Sequence, residues 1–251
     1  WNLYGLDVDQ KLMHDAMRAL ATDTRPDLDT HRPTTLCDLG YCDAGLDDAW
    51  QLCGAHGPQN YTYHTTDGAP LVNTSRFPSL RAMVDHAHAL NLTAGWYLNN
   101  CYCADHCGSG GYDVETDPKC YKGDVAALAA AGFDGVKLDN CGKQRDLDLW
   151  ATLLRAATGG RTVIENCHWG ETTPNATHCP YQLYRTSVDV RPTYGSVLAN
   201  LATTARWARA NLSRPGCWAY PDMLEVGVAT HVGRLSPAEA RTHFGAWAVV
   251  S

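Results

Sequence analysis

Apolar positions along this chain follow two alternating spacings. One is a helical spacing, which first appears where five apolar residues share one helix face: Leu12, Met13, Ala16, Met17 and Leu20. The same spacing recurs at 80–87, 123–132 and 147–154. Short apolar runs lie between the helical segments, at 41–46, 92–98, 133–139, 161–167 and 182–189. Helices that alternate with short strands predict an α/β fold with a parallel sheet.

The sequence has few features that would separate domains. It has no linker, internal repeat or low-complexity segment, and one long Cys/Gly-rich loop between about 99 and 121. Near the end, Ser236-Pro237-Ala238-Glu239 is a capping box that begins a helix. The segment "HFGAWAVVS" (243–251) predicts one more strand. We therefore predict a single domain, 1–251, with about seven strands.

Composition narrows the classes of function and partner. The 251 residues carry a net charge of −7 without a basic run, so nucleic acid is not expected as a partner. No apolar run approaches the roughly 18–20 residues that span a bilayer, so no membrane association is expected. Eleven cysteines and five N-glycosylation sequons favour an oxidising, secretory route and a secreted or lysosomal/vacuolar location. The sequons begin at Asn60, Asn73, Asn91, Asn175 and Asn211.

Acidic side chains stand where three predicted strands end: Asp47-Asp48, Asp139 and Asp189. Parallel α/β folds bind ligands beyond the carboxyl ends of their strands, so the three exits predict one shared pocket. The alternative is that these aspartates cap the following helices, since Asp is a common N-cap.

Lys137 lies two residues before Asp139, and residues i and i+2 of a strand face the same side. A neighbouring ammonium favours the ionised carboxylate, and an ionised carboxylate beside an anomeric carbon is a nucleophile. A structural Lys–Asp pair is the alternative. Burying such a pair for packing alone costs more than it returns, which favours a function.

Five motifs, in order, resemble the melibiase-type α-galactosidases, glycoside hydrolase family 27 of clan D. They are "LDDAW" (46–50), "GWYLNNC" (95–101), "GFDGVKLDNC" (132–141), "YRTSVDV" (184–190) and "CWAYPDMLEVG" (217–227). The resemblance implies a (β/α)8 TIM barrel, here lacking the first strand and truncated in the last, without the family's C-terminal β-sandwich. It also implies cleavage of α-galactoside oligosaccharides or glycoconjugates without a cofactor or metal. It allows a homodimer of the full-length parent.

The resemblance assigns roles to individual residues. Asp139 matches the family's nucleophile and Asp189 its acid/base. Asp47, Asp48 and Asp222 match residues that bind sugar hydroxyls. Four further residues match pocket positions: Trp1, Tyr97, Lys137 and Arg185. We expect Arg185 to hold a sugar hydroxyl rather than to pair closely with Asp189.

The resemblance also implies disulfides. The cysteine two residues beyond the nucleophile is normally bridged to the loop after the third strand. This suggests Cys141 with Cys107, and less readily with Cys101 or Cys103. Cys167 and Cys179 are the other expected half-cystines.

The chain departs from the family where the fifth strand ends. The usual Cys-Glu-Trp reads Cys167-His168-Trp169, so His168 takes the position of a glutamate that binds the sugar 2-hydroxyl, and Glu171 stands where a small apolar residue is common. Glu165 is a substitute candidate because it shares the strand face of Cys167. The alternatives are therefore an α-N-acetylgalactosaminidase, a β-L-arabinopyranosidase and a non-catalytic carbohydrate-binding homologue.

A metal site is the rival interpretation for "CYCADHC" (101–107), which offers Cys101, Cys103, His106 and Cys107. Zinc sites usually show two Cys pairs that lie farther apart, and the sequons favour disulfides over thiolates. We therefore expect no metal.

Overall fold

A computed structural model describes residues 1–54, 62–103 and 118–250. Its main element is a parallel sheet of six strands in sequence order. The strands are β1 (Asp43–Gly45), β2 (Thr93–Leu98), β3 (Gly135–Asp139), β4 (Val163–Cys167), β5 (Leu183–Arg185) and β6 (Trp218–Tyr220). This sheet and its helices correspond to part of a (β/α)8 barrel, as the resemblance implied.

Within the described residues, six α-helices accompany the sheet. They are α1 (Gln10–Thr22), α2 (Leu80–Ala89), α3 (Lys119–Ala131), α4 (Leu147–Thr158), α5 (Tyr194–Arg209) and α6 (Pro237–Val250). The side chains of Asp9, Ser79, Asp146 and Thr193 accept amide hydrogen bonds at the starts of α1, α2, α4 and α5. Two short antiparallel hairpins lie outside the sheet, at 25–34 and 229–234. No helix in the described part of the chain is long and apolar enough to cross a membrane.

The register of the strands separates a helix-facing layer from an inner layer. Trp96, Val136 and Ile164 pair across β2, β3 and β4, and all three are buried. Alternate residues face the opposite side, so Tyr97, Lys137 and Glu165 form a parallel row on the inner face. Each fully buried large apolar side chain of the outer layer contributes about 1.5–3 kcal/mol. The packed layer thereby fixes the direction of the polar inner row.

The prediction of a strand at 243–251 is wrong, because these residues continue α6 as far as Val250. The capping box does begin this helix: the Ser236 hydroxyl accepts from the Glu239 amide, and the Glu239 carboxylate accepts from the Ser236 amide at 2.8 Å. His243 and Trp247, four residues apart, bury the helix face. The β-branched residues near the end suggested a strand, but the helical spacing of the buried residues prevails. In the part of the chain that the structure describes, the main sheet therefore has six strands rather than about seven.

The disulfides also differ from the expected set. Cys141 pairs with Cys101, one of the two less favoured partners, and Cys179 pairs with Cys217. Cys167 is a buried free thiol, so its assignment as a half-cystine is wrong. It lies inside β4, where it faces Asp139 in register, and Cys179 has its partner at the entrance to β6. Cys107 lies outside the described residues.

Candidate active site

Asp139 ends β3 at the carboxyl edge of the sheet, with only 5% of its surface exposed. One carboxylate oxygen accepts the Asn140 amide at 2.6 Å, and the other lies 3.6 Å from the sulfur of Cys167. Tyr97 supplies a further side-chain hydrogen bond. Burial raises the pKa of Asp139, and Lys137 and these hydrogen bonds oppose that rise without cancelling it.

The ammonium of Lys137 contacts Asp47 at 2.7 Å and lies 5.3 Å from the centre of the Tyr97 ring. Burial alone would lower the pKa of Lys137, but the groups around it, Asp47 foremost, together raise that pKa well above the ordinary value. Burial would raise the pKa of Asp47, but Lys137, the amide of Asp48 and the N-terminus together lower it. As expected, Lys137 favours the ionised form of Asp139, but burial has the larger effect on the pKa of Asp139. The direct partner of Lys137 is Asp47.

Arg185, the last residue of β5, joins two acids. Its guanidinium lies 2.6 Å from Asp189 and 3.2 Å from Asp222. The expectation that Arg185 would not pair closely with Asp189 is wrong. Asp189 lies four residues beyond Arg185, and its side chain is 80% exposed, so it can fold back onto the buried guanidinium.

Cys167 connects the two halves of the site. The Arg185 guanidinium donates to its sulfur at 3.3 Å, and that sulfur lies 3.6 Å from Asp139. A continuous path of contacts thus runs from Asp139 through Cys167 and Arg185 to Asp189. Sequence reasoning missed this position for Cys167. The parallel register that pairs it with Asp139 is the signal that could have found it.

Asp48 organises the loops of the site. One carboxylate oxygen accepts from the Ala49 amide and the Gln51 side chain, and the other accepts the amides of Cys101 and Tyr102 at 3.2 and 2.9 Å. Protein donors therefore occupy both oxygens, and the residue fastens the loop that follows β2. The sugar-binding role of Asp48 stays a prediction.

Trp1 is 47% exposed and lines a cavity of about 250 Å³ together with Tyr4, Leu12 and Asp47. This position beside Asp47 brings an aromatic face to the edge of the site. Trp96, by contrast, stacks on Phe133 inside the core.

Asp222 lies just beyond β6 in a left-handed backbone conformation, with φ of 88°. One carboxylate oxygen accepts the Val190 amide at 2.7 Å, and the indole of Trp247 donates to its carbonyl. Burial raises the pKa of Asp222, and Arg185 opposes the rise. These contacts anchor the segment that carries Asp189 to the end of β6.

Glu225 is a buried acid that sequence reasoning missed. Burial, reinforced by the negative charge of Asp222, raises its pKa to about 7. One of its carboxyl oxygens is buried without a hydrogen-bond partner. Its position in "PDMLEVG", three residues after Asp222, was the available signal.

His168 is enclosed by the loop that follows β4. Its Nδ1 lies 2.8 Å from the Thr172 hydroxyl, and burial lowers its pKa to about 4, so the ring is neutral at physiological pH. Next to it, Glu171 accepts a hydrogen bond from the Asn140 side chain at 2.7 Å. Because the His168 ring is almost fully buried, its contact with a substrate stays a prediction.

Two of the three sulfurs proposed for a metal site are engaged in disulfides. Cys101 pairs with Cys141, and Cys103 pairs with Cys53. Cys101, Cys141 and Asp139 place potential ligand atoms within 4.8 Å of one another, but a disulfide offers no thiolate. The other two members of that hypothesis, His106 and Cys107, lie outside the described residues.

Known proteins resemble the chain over nearly its whole length. Residues 31–251 match the family profile described as alpha galactosidase A. An alpha-galactosidase of Oryza sativa subsp. japonica is 28% identical over 99% of this chain and 54% of its own length, and one of Cyamopsis tetragonoloba gives the same values. The chain therefore spans about half the length of these curated relatives.

Solved structures give the same result. Alpha-galactosidase I from Mortierella vinacea superposes with a TM-score of 0.72 at 25% identity, covering 100% of this chain and 63% of that one. A β-L-arabinopyranosidase from Geobacillus stearothermophilus also gives 0.72, at 16% identity, over 98% of this chain and 67% of that one, and shows the fold alone. The extent of the profile match, together with this fold, shows that the chain belongs to the melibiase-type α-galactosidases of glycoside hydrolase family 27.

Proposed function

We propose that this protein cleaves terminal α-galactosides with retention of configuration, with Asp139 as nucleophile and Asp189 as acid/base. The observation that carries the proposal is the path of contacts that joins the two carboxyls through Cys167 and Arg185. Family membership supports the glycosidase class, and alpha-galactosidases are among the relatives over nearly the full chain.

The mechanism follows from a double displacement. An Asp139 oxygen attacks the anomeric carbon while protonated Asp189 gives its proton to the departing glycosidic oxygen. The ester bond between Asp139 and the sugar is then broken by water, whose proton returns to Asp189. The second attack restores the original configuration.

Arg185 requires one rearrangement in this scheme. The Arg185 guanidinium, at 2.6 Å, occupies one carboxyl oxygen of Asp189, the group that must reach the glycosidic oxygen in the first step. We infer that substrate binding separates the two side chains. The exposure of Asp189 permits this movement, and Arg185 keeps Asp222 as a partner at 3.2 Å.

Hydrolysis of nitrophenyl α-galactoside tests the proposal directly. Asp139→Ala should lose turnover, and added azide should restore it as a galactosyl azide, because azide fits the space left by the carboxylate. The configuration of that azide reports which face is attacked. Turnover by Asp139→Ala at the wild-type rate, without azide, would refute the nucleophile assignment.

The Arg185–Asp189 ion pair also favours a second candidate, a non-catalytic carbohydrate-binding homologue. Such a protein would bind galactose without cleaving the glycoside. A panel of nitrophenyl substrates distinguishes the sugar classes: the α-galactoside, the α-N-acetylgalactosaminide and the β-L-arabinopyranoside. Binding of galactose with turnover of none of them would establish the binding role.

The secretory route is part of the proposal. The structure contains disulfides between cysteines distant in sequence, and Asn91, Asn175 and Asn211 are exposed. These features support a secreted or lysosomal/vacuolar glycoprotein. A fall in mass after treatment with an N-glycosidase tests it. A homodimer of the parent protein is testable by light scattering.

A further inference from the structure

Glu165 is a partly buried acid that the double-displacement scheme does not use. It lies in the middle of β4, two residues before Cys167, and its carboxylate accepts a hydrogen bond from the Tyr220 hydroxyl of β6. The two residues come from strands separated by β5, so the contact crosses the inner face of the sheet. The contact thus ties the two flanking strands at the level below the proposed nucleophile.

Glu165 is also the register neighbour of Lys137. The strand pairing sets Tyr97, Lys137 and Glu165 side by side on β2, β3 and β4, one inward-facing step below Asp139. Lys137 contacts Asp47 on its other side at 2.7 Å. The ammonium therefore lies between an acid that it touches and an acid held in place by a tyrosine.

Within this row, Glu165 is the residue whose charge can change with pH. Burial raises its pKa, Lys137 and the Tyr220 hydrogen bond oppose the rise, and Asp47 and Asp222 reinforce it. Burial likewise raises the pKa of Tyr220 well above its ordinary value, so the phenol stays a hydrogen-bond donor. Glu165 can thus change charge while its partner does not.

We propose that Glu165, held by the Tyr220 hydroxyl, is a positioning residue that sets the charge environment and orientation of Lys137 beneath Asp139. The negative charge of an ionised Glu165 partly offsets the positive potential of Lys137 at Asp47 and Asp139. When Glu165 is protonated, the two aspartates experience the full potential of Lys137. The inference deepens the proposed hydrolase function, on which its catalytic meaning rests.

Lysine NMR tests the proposal without requiring turnover. The chain has five lysines, so labelling Cε with ¹³C and Nζ with ¹⁵N gives few signals, and Lys137→Arg identifies the one from Lys137. We expect this signal to shift with pH as Glu165 ionises. Glu165→Gln keeps the shape and abolishes that transition. A wild-type signal without a transition, or the same transition in Glu165→Gln, overturns the proposal.

Tyr220→Phe gives a signed control. Loss of its hydrogen bond removes a contribution that lowers the pKa of Glu165, so the Lys137 transition should move to higher pH. Tyr181→Phe removes a different buried phenol and should leave the transition in place. A shift to lower pH in Tyr220→Phe, or an equal shift in Tyr181→Phe, contradicts the proposed connection.

Turnover separates positioning from direct sugar contact. A positioning role predicts that Glu165→Gln lowers kcat by about tenfold and alters the pH profile, with KM little changed. A raised KM with the Lys137 transition retained would make Glu165 a sugar ligand and overturn the inference. A wild-type protein without turnover would refute the proposed hydrolase, whereas the Lys137 signal would still decide the role of Glu165.

Discussion

Lys137 and Asp47 form a largely enclosed ion pair of the site, with 2.7 Å between ammonium and carboxylate and 14% of each side chain exposed. The pair joins the segment after β1 to the inner face of β3. Asp139 lies two residues after Lys137 on that strand. The ion pair therefore positions the strand that carries the proposed nucleophile and does not contact the nucleophile itself.

Lys137→Met should cost about 3 kcal/mol of unfolding free energy, because it leaves Asp47 buried without its cation. Urea denaturation at pH 7 measures the loss. The double variant Lys137→Met, Asp47→Asn should recover part of it, since the uncompensated charge is then removed. If the double variant is no more stable than Lys137→Met, the pair does not stabilise the fold as described.

Glu225→Gln should make stability less dependent on pH. A folded pKa of about 7 lies above the unfolded value, so the contribution of Glu225 is complete below about pH 4.5 and is lost as pH rises through 7. As the pH is raised from 5 to 8, the unfolding free energy of the variant should increase by about 2 kcal/mol relative to that of the wild type. Denaturation at the two pH values measures this. Glu239→Gln should show the opposite sign, because hydrogen bonds from Ser236 lower the pKa of Glu239.

The thiol of Cys167 should be inert in the native protein. It is fully buried, and burial raises its pKa far above the ordinary value, so little thiolate is available to react. Iodoacetamide at pH 8 should label it only after denaturation, with the labelled peptide identified by mass spectrometry. The Cys179 and Cys217 peptides should remain linked until they are reduced. Recovery of Cys167 linked to Cys179 would contradict the observed pairing.

Gly142→Ala should disturb the proposed nucleophile. A Cβ atom at Gly142 would lie 2.0 Å from the side-chain oxygen of Asn99, whose amide nitrogen donates to the Asp139 carbonyl. We expect kcat to fall at least about tenfold as Asp139 moves. Gly195→Ala is the matched control, because nothing lies within 4 Å of its added Cβ. An unchanged kcat in Gly142→Ala would show that the Asn99 contact is dispensable.

The fold was largely predictable because the spacing of apolar residues is regular. The helix faces of Met13 and Met17, and of Trp150 and Leu154, are buried as the spacing requires. The prediction for the segment from His243 was wrong, because its β-branched residues are typical of a strand and only the burial of Trp247 shows the helical spacing.

The strand-end position of Asp139 was predictable, but that of Asp189 was not, because β5 ends at Arg185, and the pairing of the side chains was not predictable either. Asp139 and Lys137 do lie at the end of β3, yet the partner of Lys137 is set by how β1 and β3 pack. Neither the Arg185–Asp189 contact nor the free state of Cys167 could be read from residue types, because both depend on distances between strands.

Arg185 has two acidic partners, and this redundancy bears on how the site can move. If Asp189 moves toward a glycosidic oxygen, the guanidinium keeps Asp222 as its partner. The movement therefore leaves no unpaired buried cation. An exposed acid and a buried acid that share one guanidinium would let the site rearrange with little energetic penalty.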